Sequence, residues 1–151
     1  MDEIELTKRL IGINFENPPC DEEKAAKFIA SVLSRIGIKS EIVEIDKKRF
    51  NVIAEIGKGD GLILSSHMDT VPIGNADSWK HGPLSGEVSN GKIYGRGAVD
   101  TKGGLAVQLT LLSTFMIRSS TSFLSALSKH TPLSLCNVLS HVMYFRILPI
   151  E

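Results

Sequence analysis

The chain has 151 residues, the size of one ordinary domain, and its 17 basic and 17 acidic residues give a formal net charge of zero. General binding to nucleic acid or to membrane surfaces depends on an excess of Lys and Arg, so this balance argues against both partners. The acidic, amphipathic N-terminus is unlike a signal peptide, and no apolar run reaches the ~18 residues of a membrane-spanning helix. Cys20 and Cys136 lie too far apart in sequence to suggest a disulfide framework. We therefore expect a soluble, cytoplasmic protein.

Two amphipathic helices are predicted at the start of the chain. Residues 2–14 place apolar side chains at helical spacing, and Asn17-Pro18-Pro19 ends this segment because a residue before proline avoids the helical region. In residues 21–37, Asp21 suits the N-cap, and Gly37 suits the position after the C-cap. The apolar face of this second helix consists of Ala25, Phe28, Ile29, Val32, Leu33 and Ile36. We expect that face to pack on the strands that follow.

Strand-like runs come next. Residues 38–45 and 50–56 are predicted to be neighbouring strands of a hairpin. Residues 62–67 begin apolar and end polar, which is typical of a buried strand whose carboxyl end reaches the surface, where ligands bind in open α/β sheets. Asn90-Gly91 between two short strand-like runs predicts a type I′ hairpin. After Tyr94, the text GRGAVDTKGG followed by LAVQLTLL predicts a loop that enters a helix.

The last third of the chain differs in composition from the rest. All 13 glycines lie between Gly12 and Gly104, and residues 105–150 contain no Gly, Asp or Glu. At average usage, a stretch of that length would contain roughly three glycines and several acidic residues. One interpretation is an apolar helical segment that lacks acids. The interpretation we favour divides the chain into a domain at residues 1–115 and a tail at residues 116–151 that is out of frame or otherwise non-native.

His67 and Asp69 are the first candidate site residues. They follow the predicted buried strand, and residues two apart in an extended chain point to the same side, so one imidazole and one carboxylate face one pocket. Imidazole suits zinc, and a nearby carboxylate either binds the ion or orients the imidazole. Taken alone, the pattern also fits a hydrogen-bonded structural pair.

Asp100 is the third candidate and lies in a glycine-rich loop. The surrounding glycines permit a tight fold of the backbone around an ion or a substrate; they are Gly95, Gly97, Gly103 and Gly104. A structural turn in which Asp100 caps a helix is one alternative. A dinucleotide-binding loop is another, although this loop follows a hairpin rather than a core strand.

The motifs together resemble one family. SHMDTVP, then Trp79, then GKIYGRGAVDTKGG, in this order and at these spacings, are similar to the M20 metallopeptidases. That family includes acetylornithine deacetylases, succinyl-diaminopimelate desuccinylases, aminoacylases and glutamate carboxypeptidases. The resemblance covers about Leu6 to Leu112. It implies an α/β fold, a three-layer αβα sandwich around a mixed, mostly parallel sheet, present here as an incomplete zinc-exopeptidase-like catalytic domain.

The resemblance also implies a role for each candidate. His67 and Asp100 would be metal ligands, with Asp100 bridging two divalent ions, zinc or cobalt. Asp69 would be the catalytic-site carboxylate that fixes the His67 imidazole and raises its basicity. The substrate would be a small N-acyl amino acid or peptide whose amide bond is cleaved by activated water. Full-length relatives are expected to form homodimers.

Several parts of the family's site have no counterpart here. No Glu lies between Glu87 and Glu151, so the family's Glu-Glu pair, which supplies the general base and a ligand, is absent. Nothing around His130 or His141 resembles the family's closing His motif. We therefore expect metal to be weakly bound or absent, and hydrolase activity to be little or none. Arg96 and Lys102 are candidates for substrate contact, but a solvated or packing role is favoured, and the alternative function is a non-enzymatic α/β module that binds a metal or a partner.

Overall fold

Three α-helices, two short helical segments at Ala76–Ser78 and Ala98–Lys102, a four-stranded sheet and a two-stranded hairpin are found in the computed structural model, which describes residues 2–18, 21–57, 61–118 and 142–147. The helices are α1 (Glu3–Gly12), α2 (Glu23–Arg35) and α3 (Gly103–Arg118). The strands are β1 (Ser40–Asp46), β2 (Arg49–Ile56), β3 (Leu62–His67), β4 (Glu87–Ser89), β5 (Lys92–Tyr94) and β6 (Val142–Ile147). No helix among these residues is long and apolar enough to cross a membrane.

The ends of the first two helices follow from local chemistry. The Asp2 carboxylate accepts the backbone N–H of Ile4 at 2.9 Å, which caps the first turn of α1. The predicted cap of α2 is wrong by one residue, because Glu22 precedes the helix while Asp21 lies 3.4 Å from the Lys48 ammonium. Gly37 has a φ of +80°, which lets the N–H of the residue after it reach back to the helix, so the glycine stop is confirmed.

The main sheet has the order β1-β2-β6-β3. β1 and β2 form the predicted antiparallel hairpin, and β2 and β3 belong to one sheet as expected. β6 lies between them, parallel to β2 and antiparallel to β3. The sheet is therefore mixed, as predicted, but two of its three described strand pairs are antiparallel, whereas the expected sheet was mostly parallel.

β6 comes from the segment that differs in composition. It pairs with β2 from Val52–Met143 to Ile56–Ile147, and with β3 from Leu62–Ile147 to His67–Val142. Residues 116–151 were predicted to form a tail that is out of frame or otherwise non-native, and six of these residues form β6 in the sheet. His130 and His141 lie outside the described residues.

One apolar core joins all three helices to the sheet. Ala54 and Leu64 lie on the same face of the sheet because both pair with residue 145 of β6, and both belong to this core. The helices contribute the buried residues Leu6, Leu10, Ala25, Ala26, Ile29, Val32, Leu33, Leu105, Ala106, Leu109 and Leu112. The α/β class is confirmed, with the predicted apolar face of α2 inside. The described residues form a sheet with helices on one face, so the third layer of the predicted sandwich is not among them.

The hairpin β4–β5 leads into the glycine-rich loop. Asn90 and Gly91 have φ values of 50° and 71°, which confirms the predicted type I′ turn. Gly86 also has positive φ, and a Cβ there would lie 2.9 Å from the Cα of Lys8, so the hairpin packs closely on α1. This packing sets the starting position of the loop that contains Asp100.

Candidate metal site

The three candidate side chains meet at the end of β3. The Nε2 atom of His67 lies 2.9 Å from Oδ1 of Asp100, although 33 residues separate them. The other ring nitrogen, Nδ1, lies 3.1 Å from the backbone oxygen of Asp69 and 3.2 Å from its Oδ1. One imidazole is therefore placed between two carboxylates, whereas the strand-end pattern predicted only that His67 and Asp69 face one pocket. The Asp100 carboxylate binds His67 rather than capping α3, which begins three residues later.

The electrostatics of His67 follow from these neighbours. Burial of the imidazole lowers its pKa, but the hydrogen bond to Asp100 and the interactions with Asp69 together outweigh burial and raise the pKa above its usual value. Asp69 is the more enclosed of the two carboxylates, with 17% of its side chain exposed against 86% for Asp100. The Asp100 carboxylate is therefore accessible to an ion or a hydrogen-bond donor from the solvent side.

Asn17 is a site residue that the sequence analysis did not single out. Its side-chain Nδ2 donates to Oδ2 of Asp69 at 2.9 Å, across 52 residues of sequence. In the sequence, Asn17 belongs to the Asn17-Pro18-Pro19 segment that ends the first helix. No local pattern could have revealed the contact, since it depends on how the α1–α2 connection lies against the end of β3.

Glycines shape the loop before Asp100. Gly97 has a φ of +80°, and a Cβ there would lie 2.6 Å from Thr70 and 3.0 Å from Lys102. Gly95 is similarly enclosed, and its added Cβ would clash with Ile11. The loop can therefore approach both the β3 end and α1 only because these positions lack side chains. It also follows the separate β4–β5 hairpin rather than a strand of the main sheet, so the dinucleotide interpretation has no structural support.

Lys102 packs in the interior, as favoured by the sequence analysis. Its ammonium donates to the backbone oxygens of Ile13 at 3.0 Å and Ile11 at 3.5 Å, and lies 4.3 Å from the ring centre of Phe15. Burial lowers its pKa to about 8, against the opposing charge of Glu16. Lys102 therefore anchors the Asp100 loop to the end of α1.

A cavity of about 520 Å³ opens beside the three candidate residues. Arg96 lies 4.9 Å from the ring centre of Trp79 and donates to the backbone oxygen of Pro72 at 3.1 Å, so its packing role is also supported. Val71 and Val99 line the cavity with 64% and 93% of their surfaces exposed. The cavity is therefore lined by the carboxylates and the imidazole, by exposed valines at its rim, and by the Arg96 guanidinium packed on Trp79.

The donors present fit part of a metal site. Zinc binds nitrogen and oxygen ligands at about 2.0–2.2 Å, and two ligands of one ion then lie on the order of 3 Å apart. The separation of 2.9 Å between Nε2 of His67 and Oδ1 of Asp100 is close to that spacing. Among the described residues, however, no group of three or more His, Cys, Asp or Glu side chains could hold an ion. The described part of the chain offers two donors and an orienting carboxylate.

Comparisons with known proteins show which family the sequence resembles. The family described as Peptidase family M20/M25/M40 matches residues 63–121. A protein of Staphylococcus aureus named as a probable succinyl-diaminopimelate desuccinylase is 37% identical over 113 residues, which cover 74% of this chain and 28% of that relative. The succinyl-diaminopimelate desuccinylase of Methylorubrum extorquens is 42% identical over 108 residues, covering 68% of this chain and 28% of that relative.

Solved structures share the fold. An M20 family metallo-carboxypeptidase from Sulfolobus solfataricus aligns with a TM-score of 0.61 and 16% identity, over 99% of this chain and 31% of that one. Human carnosine dipeptidase 1 aligns with a TM-score of 0.56 and 17% identity, over 96% of this chain and 31% of that one. The fold is shared with these two solved structures. The chain belongs to the M20 family, and it spans about 28% of the length of the curated relatives that it matches.

Proposed function

We propose that this chain is part of a two-metal hydrolase that cleaves amide bonds in N-acyl amino acids or small peptides. The observation that carries the proposal is the 2.9 Å contact between Nε2 of His67 and Oδ1 of Asp100, with Asp69 behind the imidazole. The relatives named above, a desuccinylase and a carboxypeptidase among them, support a substrate in which an amide joins an acyl group to an amino acid or peptide.

Each residue has a distinct task in this proposal. His67 and Asp100 would hold zinc or cobalt, and Asp100, whose carboxylate is exposed, would be the ligand shared by the two ions. Asp69 would accept a hydrogen bond from the Nδ1–H of the imidazole, which leaves the Nε2 lone pair for the metal. When bound, such ions polarise the substrate carbonyl and make water a stronger nucleophile at neutral pH. The cavity beside these residues receives the substrate.

The chain as it stands is expected to turn over little or no substrate. Its described residues supply two donors, whereas a catalytic zinc ion has three protein ligands and water. None of the motifs contains a carboxylate that matches the family's general base. A general base typically raises the reaction rate about 10²–10⁴-fold. Metal affinity should be weak for the same reason, because the remaining coordination positions fall to water.

Metal titration with paired variants tests the proposal. We expect zinc or cobalt to bind weakly to the wild-type chain in calorimetric titrations, and His67→Ala and Asp100→Asn to abolish that binding. His81→Ala is the matched control, since His81 stacks on Tyr94 and pairs with Glu87 outside the donor pair. The same samples are assayed for hydrolysis of N-acetyl and N-succinyl amino acids.

Two outcomes would contradict these expectations. Metal uptake that is unchanged in both His67→Ala and Asp100→Asn would show that these two residues are not the metal ligands. Stoichiometric uptake of two ions, with steady turnover that His67→Ala abolishes, would show that the described donors are sufficient for catalysis and that the expected inactivity is wrong.

A non-enzymatic metal- or partner-binding module remains the second candidate, and the two-donor group among the described residues favours it. The nucleotide sequence that follows the codon of Glu151 distinguishes the two. A Glu-Glu pair and a closing His motif in any of the three frames would support the hydrolase, and their absence would support the module.

A further inference from the structure

We propose that Asn17 is a positioning residue of the His67 site, whose side-chain amide fixes the Asp69 carboxylate and thereby keeps the imidazole turned with Nε2 available to a ligand. The inference rests on the proposed metal function for its purpose, but the orientation it describes is a property of the chain alone. It adds a second residue, after Asp69, behind the metal donors, in the connection between α1 and α2.

The two oxygens of one carboxylate connect Asn17 to His67. Asn17 Nδ2 donates to Oδ2 of Asp69 at 2.9 Å, while Oδ1 of the same group lies 3.2 Å from Nδ1 of His67. An ionised carboxylate only accepts hydrogen bonds, so the amide must present its NH₂ group, which fixes its orientation. Because both oxygens are held, rotation of the carboxylate about its own axis would break both contacts.

Asn17 itself is held by the backbone. Its N–H donates to the carbonyl oxygen of Thr70 at 2.8 Å, and the N–H of Thr70 donates to the carbonyl oxygen of Phe15 at 3.2 Å. Glu16 forms a parallel bridge with Thr70, and its carboxylate accepts the N–H of Ile73 at 3.2 Å. The short side chain of Asn17 therefore extends from a fixed backbone directly beside Asp69.

The consequence concerns which ring nitrogen carries the proton. A neutral imidazole has one N–H, and only the nitrogen without it can bind a metal. On the Nδ1 side the acceptors are the backbone oxygen and Oδ1 of Asp69, and on the Nε2 side the acceptor is Asp100. If Asp69 rotates, the Nδ1 side loses an acceptor, and the proton moves towards Nε2, where it blocks ligand binding.

The experiment compares Asn17→Ala and Asn17→Asp with the wild-type chain. Asn17→Asp keeps the size of the side chain and replaces the donor with a second carboxylate. Asn75→Asp is the control, because it makes the same charge change at a residue outside the cavity lining, whose side-chain oxygen accepts the N–H of Asp77. Side-chain ¹⁵N NMR of metal-free protein, at a pH where the ring is neutral, measures the share of the Nδ1–H form of His67. Zinc titration and thermal unfolding are run in parallel.

We expect both Asn17 variants to lower the share of the Nδ1–H form, and to reduce zinc affinity about 10–100-fold, the range seen when groups that orient metal ligands are removed. Asn75→Asp should match the wild type in both measurements. An unchanged share of the Nδ1–H form in both Asn17 variants would overturn the proposal, even if the unfolding temperature fell. If the wild-type chain binds no zinc, the metal function fails, while the NMR measurement still decides the role of Asn17.

Discussion

At the scale of single residues, the part of the chain that the structure describes buries two ionisable groups outside the donor pair and stabilises them differently. The Lys102 ammonium is paired with backbone carbonyl oxygens at the end of α1 and with the face of Phe15. Glu22, at the start of α2, accepts the N–H of Phe50 at 2.9 Å. Burial raises the pKa of the Glu22 carboxyl, and the hydrogen bond from Phe50 and the charge of Arg49 only partly oppose that effect.

The raised pKa of Glu22 makes stability depend on pH. The folded state retains this proton to a higher pH than the unfolded state, so the wild-type chain loses stability as pH rises from the ordinary Glu value through the raised one. We expect Glu22→Gln, which does not titrate, to gain stability relative to the wild type across that interval and to hold a constant difference above it. Urea unfolding at a series of pH values measures this.

The control for Glu22 is its neighbour. Glu23→Gln removes one negative charge from the same helix end at an exposed position, where Glu23 pairs with Lys27. A stability difference between Glu22→Gln and the wild type that stays constant across the acidic range would show that the folded state does not hold the proton.

The residues of the site were predictable to different extents. His67, Asp69 and Asp100 stand in short motifs whose residue types limit their chemistry, and the structure brings them together. Asn17 and Glu22 were missed as interacting groups, because their partners lie 52 and 28 residues away. Such contacts are set by the packing of a connection against a strand end, which no local pattern encodes.

At the scale of elements, the loop before Asp100 depends on backbone that side chains rarely adopt. Gly97 has a φ of +80° and is closely surrounded, whereas Gly91 in the β4–β5 turn has a φ of +71° with nothing within 4 Å of its added Cβ. An alanine would therefore meet the same conformational cost at both positions, but only at Gly97 would its methyl group meet neighbouring atoms. Comparing alanine variants at Gly97 and Gly91 therefore distinguishes backbone strain from a steric clash.

We expect Gly97→Ala to destabilise the domain more than Gly91→Ala does. Alanine at positive φ costs about 1 kcal/mol at either site, and crowding against Thr70 and Lys102 should add roughly 1–3 kcal/mol at Gly97. Gly97→Ala should also weaken metal binding, since the loop that contains Asp100 must shift. Equal losses in urea unfolding for the two variants would mean that the loop accommodates a methyl group without moving.

Elements with a local signal were predicted well. The apolar stripe of α2, its glycine stop and the Asn90-Gly91 turn were each predicted from a few neighbouring residues and found. The order of the strands was not, because β6 pairs with β2 and β3 from a distant part of the chain. Strand pairing over such separations depends on which edges remain free when the rest of the domain has packed.

At the scale of the whole molecule, residues 116–151 differ in composition from the domain. We retain the prediction that this segment is not part of the native fold, because residues 105–150 lack the Gly and Asp that most often form turns and caps. Hydrogen exchange should then show its amides less protected than those of residues 25–35 in α2. Protection of residues 142–147 equal to that of α2 would instead establish β6 as a stable interior strand.

Residues 11–17 contact both the segment after β3, at Asp69 and Thr70, and the loop that contains Asp100, at Lys102. These contacts have a consequence for biosynthesis. The backbone oxygens of Ile11 and Ile13 accept hydrogen bonds from the Lys102 ammonium. The backbone oxygen of Phe15 accepts the N–H of Thr70. The side chain of Asn17 donates to the Asp69 carboxylate. Translation proceeds from the N-terminus, so residues 11–17 leave the ribosome before the loops that they contact. The ligand residues are therefore added to a chain whose anchoring points have already been synthesised.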